Sequence, residues 1–162
     1  MVFFNQFKNH IEYAHPKEYD IGDGKVGKVR TSKCLGDFVN DHGTNVDMID
    51  DRVSKGIGTI VSSLSICNEV TMGISFVKSA LVMHNAVVLA TLIFNSQSWT
   101  KLAQKDVRRL EVVQLRYLKR IVRAPSSTCN AFVFLELGIL PVKYQIHIRQ
   151  LTFLHHIVHC SR

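Results

Sequence analysis

A chain of 162 residues, 46% of them hydrophobic, is long enough for one packed domain with a small appendage and too apolar to be disordered. Twenty Lys and Arg against thirteen Asp and Glu leave a net charge of +7, which suits a polyanionic partner or an acidic neighbouring domain without choosing between DNA, RNA and an anionic surface. Cys34, Cys67, Cys129 and Cys160 are widely spaced, no CxxC pair exists and the N-terminus lacks a secretory pattern, so free thiols in a reducing compartment are expected rather than a disulfide framework.

Residues 1–24 read as irregular, with an aromatic start (Phe3, Phe4, Phe7), Pro16, and a tight turn at Gly22-Asp23-Gly24. The glycines there do not follow the GxxxxGK[ST] spacing of a phosphate loop, so a turn suffices. Residues 25–39 read as one or two short strands interrupted by Gly27 and Gly36, and strands this short need partners. From Asn45 the pattern turns helical: Val46, Ile49, Val53, Ile57, Ile60 and Leu64 follow three- and four-residue steps. Gly56 and Gly58 each weaken that helix by roughly 1 kcal/mol against alanine, which implies a close helix contact or a bend.

A second helix is expected over about 73–94. Its apolar stretch is interrupted by Lys78, His84, Asn85 and Thr91, short of the roughly 18 uninterrupted apolar residues of a membrane span. It therefore reads as a central buried helix, with no membrane among the partners. The third helix runs over about 101–123 with Thr100 as N-cap, and Pro125 stops it. A short helix over 130–137 is closed by Gly138, and Pro141 opens a last one carrying Tyr144, Ile148, Leu151, Phe153, Leu154 and Ile157 towards Cys160.

The third helix carries the strongest functional signal. Lys105, Arg109, Arg116, Arg120 and Arg123 recur at spacings of four, seven, four and three and so share one face, while Leu110, Val113, Tyr117, Leu118 and Ile121 form an apolar face elsewhere on the cylinder. Lys101, Arg108 and Lys119 flank the stripe, and Asp106 and Glu111 only partly offset it. Arginine forks suit phosphate oxygens, so nucleic acid is the expected partner; a solvated helix surface has the same pattern. Lys25, Lys28, Arg30 and Lys33 make a smaller basic cluster beside the strands, and either cluster can position a duplex without reading its sequence.

Other candidates are weaker. On a helix His155 pairs with His159 and His156 with Cys160, each at i,i+4; either pair can share a zinc ion, but a structural site needs four ligands and nothing obvious supplies the rest. An amphipathic helix end accounts for them, and no metal is assigned. Asp37, Asp41, Asp47, Asp50 and Asp51 cluster around the start of the first helix, where the helix dipole favours acids. No Ser, His and acid spacing suggests a triad, so no catalytic residue is assigned.

In chain order come Lys33-Cys34-Leu35-Gly36-Asp37, Asp41-His42-Gly43, Ile49-Asp50-Asp51-Arg52-Val53 with Gly56-Ile57, Asn95-Ser96-Gln97-Ser98-Trp99, Asp106, Arg109-Leu110-Glu111, Leu118-Lys119-Arg120-Ile121, Leu135-Glu136-Leu137-Gly138 and Pro141. This order of motifs resembles the palm end and thumb of reverse transcriptases from non-LTR retrotransposons. The resemblance spans about 33–159. It implies a mainly α fold: a thumb-like bundle of four or five helices over 44–162, preceded over 1–43 by an irregular segment and a short β-hairpin left from a palm. Cys34, Leu35 and Gly36 would then lie at a primer-grip hairpin, and Trp99 would pack at a helix junction. The expected partner is an RNA–DNA hybrid or other nucleic acid, bound through Lys33, Lys105, Arg109, Arg116, Lys119, Arg120 and Arg123, with a palm domain or another protein as further partner.

A full-length enzyme of that family uses Mg, held by aspartates in a Tyr/Phe-x-Asp-Asp turn. No such turn occurs here, so the chain is expected to need no cofactor and to lack polymerase chemistry alone. Gln97 also replaces an acid common before the tryptophan, and Cys34 stands where an aromatic residue is more usual. The competing expectation is a structural or protein-interaction helical domain derived from a retroelement. Its support is apolar content in 74–94 and 144–157 that exceeds what a small bundle buries. A retroelement origin suggests the nucleus, but no residue chooses between nucleus and cytoplasm.

Overall fold

The computed structural model describes residues 18–21, 24–27, 30–34, 36–40, 44–70, 74–99 and 102–160. They fall into two compact units, Met1–Met48 and Ile49–Arg162. Among the described residues the fold is mainly helical, with five helices after a short β region.

The first unit contains two separate antiparallel hairpins. Strands β1 (Glu18–Ile21) and β2 (Gly24–Gly27) pair with Ile21 opposite Gly24. Strands β3 (Thr31–Cys34) and β4 (Asp37–Asn40) pair with Cys34 opposite Asp37. The second connection has two residues, and Gly36 takes a φ of 89°, a left-handed value that glycine accepts without a Cβ clash. Among the described residues four strands stand where one or two were expected, and β1 lies inside a segment expected to be irregular. Four-residue strands containing glycine and charge leave almost no alternation to read; backbone pairing defines them.

Asn40 fastens the second hairpin to the start of α1 (Val46–Val70). Its Oδ1 accepts from the Thr44 N–H at 2.9 Å, and its Nδ2 donates to Thr44 Oγ1 at 2.8 Å and to Asp47 at 3.2 Å. Thr31 also donates to Asp47, at 3.3 Å. The first turn of α1 thus falls in the same compact unit as the strands, Met1–Met48.

In the second unit the long helix α1 turns Ile49, Arg52, Gly56, Ile60, Ser63 and Cys67 inward. This face is rotated from the expected one, since Val46 and Ile57 are exposed. The close approach at Gly56 sets the rotation. A Cβ added there would meet Leu92 Cδ2 at 2.7 Å and Val113 Cγ1 at 3.1 Å, whereas one at Gly58 meets nothing within 4 Å. Gly56→Ala should therefore destabilise the unit by about 1–3 kcal/mol through overpacking against the buried Leu92. Gly58→Ala should stabilise it by about 0.5–1 kcal/mol through helix propensity. Urea midpoints that move in opposite directions would bear out that packing; parallel shifts would contradict it.

Helix α2 begins at Ile74–Met83, continues through a π-helical stretch, His84–Leu89, and ends in one α turn, Ala90–Leu92. A turn with Asn95 at φ 56° leads into a 3-10 turn, Ser96–Ser98, and to the buried Trp99. By length and composition Phe76–Ser98 is long and apolar enough to cross a membrane, with a mean hydropathy of 1.7, so its polar interruptions do not remove that property. It is not buried all round: Ala80, His84, Val88 and Leu92 are enclosed, while Val82 and Phe94 are exposed. Helix α3 (Gln104–Ile121) packs on the π stretch, on α4 (Asn130–Leu137) and on α5 (Val142–Cys160). It starts later than expected: the N-cap position belongs to Ala103, not to Thr100, which lies outside the described residues. Gly138 closes α4 with φ 63°, and the Ile139 N–H reaches back to Phe134 O at 3.0 Å.

A polar network sits where α2, α3 and the start of α5 meet. Gln114, fully buried, accepts from the Val142 N–H at 2.9 Å and donates to Leu140 O at 3.1 Å; its Nε2 also lies 3.4 Å from His84 Nε2. His84 Nδ1 stands 2.8 Å from Asn85 Oδ1, and Tyr117 donates to Ala80 O at 2.9 Å. With Nδ1 carrying the proton, His84 satisfies both neighbours as a neutral ring. Burial pushes its pKa down, more than the Asn85 hydrogen bond raises it. The unfolded state then takes up this proton first as pH falls, so His84 leaves stability intact above about pH 6.5 and erodes it below. Urea unfolding at pH 7.5 and 5.5 should show a loss at the lower pH that His84→Gln reduces; an equal loss in the variant would contradict this.

Candidate functional site

The basic stripe of α3 divides into two halves with different surroundings. At the N-terminal half Lys105 is exposed, and Arg109 forms an ion pair with Asp50 of α1 and lies 4.0 Å from Asp106. Both members of the Arg109–Asp50 pair are about half exposed, so the pair contributes about 0–1 kcal/mol, yet it turns that guanidinium towards an acid. Asp51 similarly meets Lys55 at 2.6 Å and Arg52 at 3.8 Å. The acidic cluster read from the sequence is thus dispersed: Asp47 bonds the hairpin, Asp50 and Asp51 hold cations, and Asp41 lies outside the described residues. Among the described residues no group of three His, Cys, Asp or Glu could hold a metal ion.

The C-terminal half is open. Arg116, Lys119 and Arg120 line a groove of about 450 Å³ together with Val112, Leu115, Ala124, Ser126 and Asn130. Its second wall is the loop after α3. Helix α3 ends at Ile121 because Arg123 adopts φ 52° and Pro125 follows, and the Lys119 ammonium donates to Ser126 O at 2.6 Å, drawing the loop back over the helix. Arg123 therefore leaves the stripe: a residue in the left-handed region no longer follows the helical period. Leu115 and Val112 give the groove an apolar floor between cations, and Val112 is 56% exposed.

Asn130 opens α4 on the same groove, so the positive end of that short helix adds to the three side-chain charges. Cys129 occupies its N-cap position. The N–H groups of Phe132 and Ala131, with a smaller contribution from the Lys119 charge, hold this exposed thiol below its ordinary pKa. The same field that favours a thiolate favours a phosphate oxygen.

The primer-grip expectation falls in the first unit. Cys34 is exposed at the end of β3, Gly36 forms the turn, and Leu35 lies outside the described residues. Lys33 is exposed, with its ammonium 5.6 Å over the Phe38 ring. Of the smaller basic cluster, Arg30 is also exposed and Lys28 lies outside the described residues. The tight turn at Gly22-Asp23 and the Asp41-His42-Gly43 segment lie outside them as well. Trp99 is 5% exposed and packs in the second unit, where Gln150 donates to its carbonyl at 3.0 Å.

Sequence reading missed the Ser126–Asn130 wall and the Gln114 junction. Both leave a trace in hindsight: Gln114 stands four residues after Leu110 and three before Tyr117, on the apolar face, and Pro125 follows a run of cations by two residues. Comparison with protein-family models, curated proteins and solved structures finds no match. The class that the fold and the site define is a mainly helical domain with an open basic groove beside a helix N-terminus.

Proposed function

We propose that the chain binds the sugar–phosphate backbone of a nucleic acid, as the thumb-like part of a reverse transcriptase does, with no catalytic aspartates of its own. The observation that carries this reading is the convergence of Arg116, Lys119 and Arg120 on one open groove at the start of α4. Three cations with an apolar floor suit a polyanion that presents phosphates on its rim and sugar edges within. The resemblance over 33–159 supports an RNA–DNA hybrid as ligand, with Cys34, Leu35 and Gly36 at a turn that meets a primer end and Lys33 beside it. On this reading the partner is nucleic acid, not a membrane, and no cofactor is needed for binding.

The groove contacts rank Arg116, Lys119 and Arg120 first. Lys105 and Arg109 come second because an acid already faces Arg109, and Arg123 serves as a contact from the loop. Titrating the isotope-labelled chain with a short RNA–DNA hybrid tests this directly. Amide shifts should concentrate over 112–130. Shifts confined to α5, or none at saturating hybrid, would contradict the proposal.

A second reading, a protein-interaction domain, is favoured by the exposure of Tyr144, Ile148, Leu151, Leu154 and Phe153 on α5. That helix is apolar on more sides than its neighbours cover.

A further inference from the structure

The loop between α3 and α4 brings hydroxyl groups to the basic groove. Ser126, Ser127 and Thr128 follow one another there, and Ser126 lines the groove with Arg116, Lys119 and Arg120. Ser126 is exposed, and its carbonyl takes the Lys119 ammonium at 2.6 Å, so its side chain leaves the backbone within reach of that charge. No Asp or Glu is among the residues that line the groove, whereas Arg109, nearer the start of α3, faces Asp50.

The residues before Ser126 have the charge pattern by which basic-directed protein kinases choose a hydroxyl. Arg123 stands three positions before it and Arg120 six, and both are exposed. Of the arginines only Arg123 and Arg149 stand three positions before a serine or threonine. Thr152, the hydroxyl after Arg149, lies inside α5, and Arg149 is turned to Ile93 O at 3.3 Å. The Ser126 loop is held by the turn from Thr128 N–H to Pro125 O at 3.1 Å and by the Lys119 contact. A kinase cleft takes its substrate extended, a form this loop reaches by releasing those contacts and α5 only by unwinding.

We propose that Ser126 is a phosphorylation site whose phosphate docks on Arg116, Lys119 and Arg120 and closes the groove to nucleic acid. In the transfer Ser126 Oγ bonds the γ-phosphorus of ATP while the bond from that phosphorus to the bridging oxygen breaks. ADP leaves, and the hydroxyl proton passes through the kinase to solvent. The product carries about −1.5 to −2 charge at pH 7 and three acceptor oxygens. Opposite three cations of the helix that holds the loop, it forms charge-assisted hydrogen bonds within the chain. A nucleic-acid phosphate must then displace a tethered competitor, which acts at the effective concentration of an intramolecular group. The inference rests on the function proposed above for what is displaced, and on the groove alone for the docking.

The test treats the full chain with ATP and calmodulin-dependent protein kinase II, which selects arginine three positions before the hydroxyl. Peptide mass mapping should place the phosphate on Ser126 and not on Thr152. On the modified chain, the phosphorus resonance followed against pH should show the second ionisation at least about half a unit below its ordinary value near 6. R116A/K119A/R120A, modified in the same way, should restore that value. Affinity for a labelled RNA–DNA hybrid near 0.1 M salt should fall about tenfold or more, beyond the loss in K105A/R109A, which removes a similar charge outside the groove. Ser126 left unmodified, an ionisation that is the same in the triple variant, or a modified chain that binds hybrid no worse than K105A/R109A would overturn the inference. A parent chain that fails to bind hybrid before modification contradicts the proposed function instead, and the phosphorus resonance then decides the docking by itself.

Discussion

Gln114→Leu should cost the helical unit about 2–4 kcal/mol of unfolding free energy, a large share of the 5–15 kcal/mol typical of a domain. The side chain is fully buried and uses both ends of its amide: the carbonyl takes the Val142 N–H and the amino group serves Leu140 O. Leucine has similar volume, so no cavity forms. What remains is the buried Val142 N–H without a partner, worth about 1–3 kcal/mol in lost hydration, and a part-buried Leu140 C=O that loses its donor. Pro141 aggravates the effect, because a helix that starts on proline depends on outside groups for its first N–H donors, and Gln114 is such a group. Urea unfolding followed by circular dichroism measures the loss. A midpoint unchanged from the parent would show that α5 is not seated through Gln114.

The second large effect concerns binding. Changing Arg116, Lys119 and Arg120 together to alanine should weaken binding to a labelled RNA–DNA hybrid about a hundredfold or more near 0.1 M salt, the scale of three lost phosphate contacts. Lys105 and Arg109 changed together should cost far less, because Arg109 already faces Asp50 and Asp106. The triple variant removes three positive charges and the double variant two, so a uniform field of net charge +7 would make their effects on the logarithm of the affinity stand at about three to two. A ratio well above that would assign the binding to the groove, and a ratio near it would assign the binding to overall charge. Lys119 also ties the loop through Ser126 O, so a folded baseline for the triple variant is read from its urea midpoint.

Helix positions were legible where punctuation was strong. Gly138 and Pro141 mark the end of α4 and the start of α5, and those bounds follow from side chains that either permit or forbid the next hydrogen bond. Faces were less legible. The apolar residues of α1 fit an inward stripe through Val46 and Ile57, but a glycine gives no hydrophobic signal, and Gly56 is what lets α1 approach Leu92 and Val113. The strands were the least legible element, since pairs such as Cys34 with Asp37 are set by turn geometry and not by alternation.

The candidate site divided in the same way. The α3 stripe follows from periodicity alone, so Arg116 and Arg120 stood out at once. Its break at Arg123 did not, because a left-handed residue after a helix has no side-chain signature when it is not glycine or asparagine. The groove's second wall depends on a backbone carbonyl, Ser126 O, which no residue pattern encodes. The last turns of α5 were expected as an amphipathic end, and the structure leaves residues 151–160 exposed.

The most direct measurement is the affinity of the parent chain and of the Arg116, Lys119 and Arg120 triple variant for one RNA–DNA hybrid, across a salt series from 50 to 300 mM. Each neutralised phosphate contributes roughly 0.9 to the log–log slope on a B-like duplex, so backbone binding through the groove predicts a steep parent slope and a variant slope shallower by about two to three. Parallel slopes, or no binding by the folded parent chain, would contradict the account.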